Sequence, residues 1–261
     1  MRPMRFTGRS LRLGLWLILL AAGACGHRGT TIRVEIPDLD GRLTPVARLA
    51  IVVLPYDRDS LLAALEAAAP GPRPDTAALD SLFAVVRAPF NDLLRAESRA
   101  AAVRDSLARL RDRLEREPRN SAEYRSGYRA FSALADSLAR AEQRTAKAQD
   151  ALSAAEHQAG PRLGRLRMAV TRWEDSTLRS YDSLTTARTR ELGRRPVHAQ
   201  TGADGAVTLH LPEGAWWVYT RAPQVGNPYA GWYWNRMITA DSVRLSPATG
   251  RLRPCYSTRC P

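Results

Sequence analysis

The residues able to do chemistry in this chain are scattered. Its four histidines, His27, His157, His198 and His210, sit in no His-x-x-Glu-His or Cys/His pattern, and no Gly-x-Ser-x-Gly is present, so neither a zinc hydrolase nor a serine hydrolase is indicated. Asp57-Arg58-Asp59 offers two carboxylates, but a calcium loop needs several more oxygens in sequence order, and the intervening arginine opposes a cation. Asp57, Asp59 and Asp80 fall where helices should begin; there they complement the helix dipole, with Ser60 as the candidate cap. These patterns predict a non-enzymatic chain without metal or cofactor. The densest cluster is aromatic: Trp216, Trp217, Tyr219, Tyr229, Trp232, Tyr233 and Trp234. On a strand, Trp217 and Tyr219 share one side and Trp216 and Val218 the other. One side should be core, and the other either a base for helices or a surface row for ring stacking on a glycan or partner. Trp216, Trp232, Tyr233 and Trp234 are therefore the candidate contacts, and Arg221 and Arg236 candidate cation–π partners.

The elements that must position these residues follow from periodicity. Thr31 to Ile36 alternates in period two, Asp38-Leu39-Asp40-Gly41 is a turn signal, and Val46 to Leu54 is almost continuously apolar, which predicts two strands joined as a hairpin. From Asp59 to Leu192 the apolar residues change to a 3-4 spacing, with breaks at Pro70 to Pro74, at Pro118-Arg119-Asn120-Ser121 and at Gly160-Pro161, and a glycine stop at Gly193. Asn120 or Ser121 is a ready cap for the helix after the second break. Because the stripes are narrow and the breaks lie symmetrically about residues 118–121, one long antiparallel hairpin with a kink in each arm is expected, with a three- or four-helix bundle as the alternative. Five further strands are expected at 197–200, 206–211, 216–221, 232–239 and 242–245, with Gly205 permitting the positive φ of a tight hairpin turn between the first two. The whole reads as α+β, a seven-stranded antiparallel sandwich split by a helical insertion. Its segments are 31–57 and 194–250 for the sandwich, 58–193 for the helices and 251–261 for a tail.

The leader carries Arg2, Arg5, Arg9 and Arg12 without an acid, then the apolar run Leu13 to Ala22 and small residues, the layout of a secretory signal too short to span a membrane. It closes on Ala22-Gly23-Ala24-Cys25, which resembles the lipobox of bacterial lipoproteins, with Ala22 where Leu is usual. The resemblance implies cleavage after residue 24, acylation of Cys25 and a short tether at 25–30. Gly26, with no Asp after the cysteine, resembles the sorting pattern for the outer membrane facing the periplasm. The chain holds 39 basic and 26 acidic residues; without the four leader arginines it keeps 35 against 26, a net of +9. Lys147 is its only lysine, and arginine alternates with acid as on a solvated helix face, which argues against a nucleic-acid partner. In an oxidising compartment Cys255 and Cys260, spaced C-x4-C, read as a small disulfide loop.

The string Thr201 to Tyr219, with Thr201, Asp204, Gly205, Leu211, Pro212, Gly214, Trp217 and Val218, resembles the second half of carboxypeptidase regulatory-like domains, members of the transthyretin-like (prealbumin-like) sandwiches. Residues 31–54 supply the first half, and about 140 residues intervene where that family has a short connection. The resemblance covers about 80 residues and implies a non-catalytic domain. Taken together, these features lead to the expectation of a membrane-anchored envelope lipoprotein whose helical hairpin contacts an envelope protein and leaves room for self-association. A cell-wall or glycan binder using surface Trp and Tyr, and a periplasmic adaptor of a transport system, are the alternatives.

Overall fold

The computed structural model describes residues 29–257; the expectations for the leader, Cys25 and Cys260 lie outside them. The chain is α+β, with two sheets and four helices among the described residues. One sheet is built on β1 (Gly29–Pro37), which pairs antiparallel with β2 (Leu43–Pro45) and β5 (Ala206–His210) and parallel with β8 (Ser242–Leu245). The other is antiparallel, in the order β4 (Val197–Gln200), β3 (Ala50–Leu54), β6 (Trp217–Gln224), β7 (Asn227–Met237), β9 (Arg251–Pro254). Alternation in β1 sends Ile32, Val34 and Ile36 inward, where they meet Ile51, Val53, Val218, Trp234 and Leu245 in one core shared by both sheets. Arg33 and Glu35 point outward, and Glu35 pairs with Arg244 across the parallel β1–β8 contact. This period-two separation is what lets two sheets close on each other.

Five features differ from the sequence expectation, the first being the parallel pairing of β8 with β1 in a sandwich expected to be antiparallel. Val46 to Leu54 is not one strand: Arg48 takes a positive φ of 56°, and the chain crosses there from the first sheet to the second. Buried Thr201 holds this corner, its hydroxyl accepting from Leu49 N at 2.8 Å and donating to Val46 O at 2.6 Å. Gly205, with φ +72°, does not close a hairpin, since β4 and β5 belong to different sheets; a Cβ there would lie 2.9 Å from Val34 O, so the position requires glycine. Residues 222–230, expected as a loop, continue β6 and β7 through a tight turn at Gly226 with a bulge beside Pro223. Residues 251–254, expected as tail, form β9 against β7. Among the described residues the strand count is accordingly nine.

The helices are α1 (Arg58–Ala67), α2 (Ala77–Leu114), α3 (Ala122–Thr177) and α4 (Tyr181–Leu192). They make a hairpin of α2 and α3, with α1 and α4 short and packed together at its base, and not a bundle. Ser121 caps α3 by accepting from Tyr124 N at 3.0 Å, and Gly193 ends α4 in the left-handed conformation at φ 61°. Gly160-Pro161 does not break α3, which runs through it for 56 residues. A proline removes one N–H, and here Ala159, Leu163 and Val170 on either side are buried, so packing holds the helix across the gap. At 1.5 Å per residue, α2 extends about 57 Å and α3 about 84 Å. Among the described residues no helix is long and apolar enough to cross a membrane.

Candidate functional site: the helix–sheet junction and the hairpin arm

The aromatic cluster separates by strand parity. Trp216 and Trp234 are buried in the shared core. Their indole N–H groups donate to Pro212 O at 2.8 Å and Ser246 O at 3.0 Å, and Arg194 lies over the Trp216 ring at 5.2 Å. Trp232 is half-buried and stacks on Trp234 at 6.3 Å. These three residues therefore form no exposed row for a glycan: Trp216 and Trp234, each with its indole donor bonded, fill the sandwich, and Trp232 packs against it. Tyr233 points to the other face of β7, and Trp217, Tyr219 and Arg221 lie half-buried on the corresponding side of β6.

That outer face receives α1. Asp57, and not Ser60, caps α1: its Oδ1 accepts from Asp59 N at 3.0 Å, and Ser60 Oγ donates to its other oxygen at 2.6 Å. Asn235 Nδ2, from β7, donates to the same carboxylate at 2.5 Å. Burial alone would raise the Asp57 pKa, but the bonds from Ser60, Asn235 and the backbone outweigh it and hold the carboxyl below its ordinary value. The next residue, Arg58, reaches in among three tyrosines, 4.4 Å over Tyr219, 5.5 Å over Tyr181 and 6.0 Å over Tyr233. Desolvation lowers its pKa, yet the tyrosine oxygens, Tyr219 first, leave it raised. The Tyr233 hydroxyl accepts from Arg58 Nη1 at 3.1 Å and donates to Asp59, which also pairs with Arg251. Burial, then the bond to Asp59, push the Tyr233 pKa up to about 12. A phenol kept protonated and engaged on both sides ties the helix to the sheet.

Sequence reading missed this junction. Arg251 and Arg253 alternate with Leu252 as on a strand, which was the available signal. Arg221 behaves as expected, 5.5 Å over Tyr233, whereas Arg236 is exposed and donates to Thr249 O at 3.4 Å. Cys255 is buried and disulfide-bonded, and its backbone N donates to Tyr229 O at 2.7 Å.

The arm presents the second candidate surface. Its inner turns pack on the sheet: Phe83 stacks on Tyr229 at 4.3 Å and faces Tyr256 at 6.0 Å, and Tyr256 OH donates to Asp80 at 2.8 Å. Beyond Ala100 and Ala141 no residue out to the tip is buried. There Val103, Leu107, Leu110 and Leu114 are half-buried on α2, and Tyr124, Phe131, Leu134 and Leu138 on α3. Tyr128, stacked on Tyr124 at 6.3 Å, is 58% exposed. Arg104 and Glu142 pair across the arms at 3.5 Å, and among the described residues every hydrogen bond and ion pair of residues 101–140 stays within the hairpin. No family model, no curated protein and no solved structure matches the chain.

Proposed function

We propose that this chain is an exported, lipid-anchored envelope protein, acylated at Cys25, whose transthyretin-like sandwich serves as a base and whose helical arm is the contact for an envelope protein partner. The observation that carries the reading is the contrast within the arm: among the described residues the hydrogen bonds and ion pairs of its outer half stay within the hairpin, yet it retains an apolar stripe and the exposed Tyr128 at its tip. An amphipathic two-helix seam without a third surface is the geometry a partner completes. The sandwich assignment rests on two sheets sharing one core and on the Thr201 corner, which lies in the segment resembling that family. The anchor rests on the leader residues alone.

The test replaces residues 101–140 by a short turn joining Ala100 to Ala141, which removes the half with no contact to the sheets, and compares partners captured from membranes by crosslinking. Loss of the principal partner with unchanged circular dichroism of the β region is expected; an unchanged partner set would overturn the arm as contact. Separately, Cys25→Ser should move the protein from the membrane to the soluble fraction, and continued membrane association would overturn the anchor.

A further inference from the structure

Between α1, the C-terminal turns of α3 and the ends of β6, β7 and β9 lies a cavity of about 270 Å³, lined by Arg58, Arg73, Arg221 and Arg253 with Trp173 and Tyr256. Two of these arginines are accounted for: Arg73 pairs with Glu66 at 3.9 Å and lies over Trp173 at 5.4 Å, and Arg58 bonds to the Tyr233 hydroxyl. Arg221 and Arg253 have no carboxylate partner among the described residues. Both lean on the Tyr233 ring, at 5.5 Å and 4.2 Å, and Arg251, already committed to Asp59, stands beside them at 5.3 Å from that ring. Glu174 is the remaining acid on the wall, so with Arg73 and Glu66 cancelling, the lining keeps an excess of two positive charges. Burial, then the charge of Arg251, push the Arg253 guanidinium below its ordinary value, and Tyr233 and Asp59 offset this only in part.

Half-buried like charges are costly unless an anion neutralises them. Guanidinium forks match phosphoryl oxygens bidentately, and a phosphate monoester carries about −1.5 to −2 at neutral pH, close to the excess on the wall. The volume lies just below the range of about 300–1,000 Å³ typical of drug-sized ligands, which suits a headgroup and not a large molecule.

We propose that this cavity binds a phosphoryl anion through Arg221 and Arg253, either a free phosphate compound or the phosphomonoester headgroup of a lipid. The site is independent of the arm and of Cys25, so its failure leaves the proposed function standing.

The full chain is titrated with inorganic phosphate and pyrophosphate at constant ionic strength, read by calorimetry and by tryptophan fluorescence, since Trp173 lines the cavity. In a second arm it is mixed with phosphatidylcholine vesicles with and without phosphatidate. Saturable binding in the first arm identifies a soluble phosphate compound; binding only to phosphatidate vesicles identifies a lipid headgroup. Arg221→Gln/Arg253→Gln should weaken it about tenfold per arginine, Arg221→Lys/Arg253→Lys less, and Arg236→Gln, on the exposed face, not at all. No binding in either arm, or wild-type affinity in the double Gln variant, overturns the proposal. Should that variant not fold, protection of Arg221 and Arg253 from phenylglyoxal by pyrophosphate or phosphatidate decides instead, and absence of protection overturns it.

Discussion

The inner and outer halves of the hairpin are built from the same two helices, with the same apolar spacing, and differ in what lies beside them. In the inner half Leu79, Phe83, Val86 and Leu93 are buried against Leu152, Ala159, Leu163 and Val170, with Tyr229 and Tyr256 closing the third side. In the outer half the equivalent leucines stop at half-burial, and the last fully covered pair is Ala100 and Ala141. Two helices alone cannot cover a stripe on each; a third surface is needed. Sequence periodicity specifies where a stripe runs, and the neighbour decides whether it becomes core or interface.

The largest effect should come from removing the third surface. Phe83 is 6% exposed and stacked between two tyrosines of the sheet side, so Phe83→Ala should cost about 3–5 kcal/mol, the usual range for a buried phenylalanine. Urea unfolding measures it. A loss under about 1 kcal/mol would mean that the inner half is no better anchored than the outer, and the contrast between them would fail.

A smaller effect should appear in alkali, confined to the junction. Tyr233 has its pKa raised from 10.0 to about 12 in the folded chain, so it holds its proton more firmly folded than unfolded. Its contribution is complete below pH 10 and is lost as pH rises through about 12. Two pH units of linkage correspond to about 2–3 kcal/mol. Unfolding free energy should fall across pH 10–12, and Tyr233→Phe should flatten that slope without abolishing it, because Tyr229 and Tyr256 are also raised, chiefly by burial. An unchanged slope in the variant would show that Tyr233 is not the group that titrates.

The same division explains what could be read in advance. Helix ends were legible where a local signal acts alone: the proline run at 70–74, Ser121 as cap, Gly193 as stop. The hairpin was expected from the symmetry of the breaks at 70–74 and 160–161 about residues 118–121, and it forms with only the first of the two, because α2 and α3 pack along their length. Gly160-Pro161 misled because its local preference is overridden by buried neighbours on α2, which no window of sequence displays. Arg48 and the 46–49 corner were illegible for a related reason: the backbone turns there to change sheets, and the hydroxyl that holds it, Thr201, is more than 150 residues away. The junction was hidden most completely. Arg58, Asp59, Tyr233 and Arg251 come from three separated elements, and Asp59 read alone is only a first-turn acid. For Trp216, Trp232 and Trp234 the sequence left both packing and a surface row open, because alternation assigns sides without saying which side is covered.

The smallest expected effect is the most discriminating. Leu107 occupies the outer stripe of α2, half-buried, with no third surface. In a single chain Leu107→Ala should cost about 1 kcal/mol or less, since the side chain already meets water and truncation leaves no sealed cavity. The unfolding midpoint should not depend on protein concentration. If instead the loss exceeds about 2 kcal/mol and grows with concentration, a second copy of the chain supplies the missing surface. The outer half would then be core in the assembly, and the partner sought for the arm would be the protein itself.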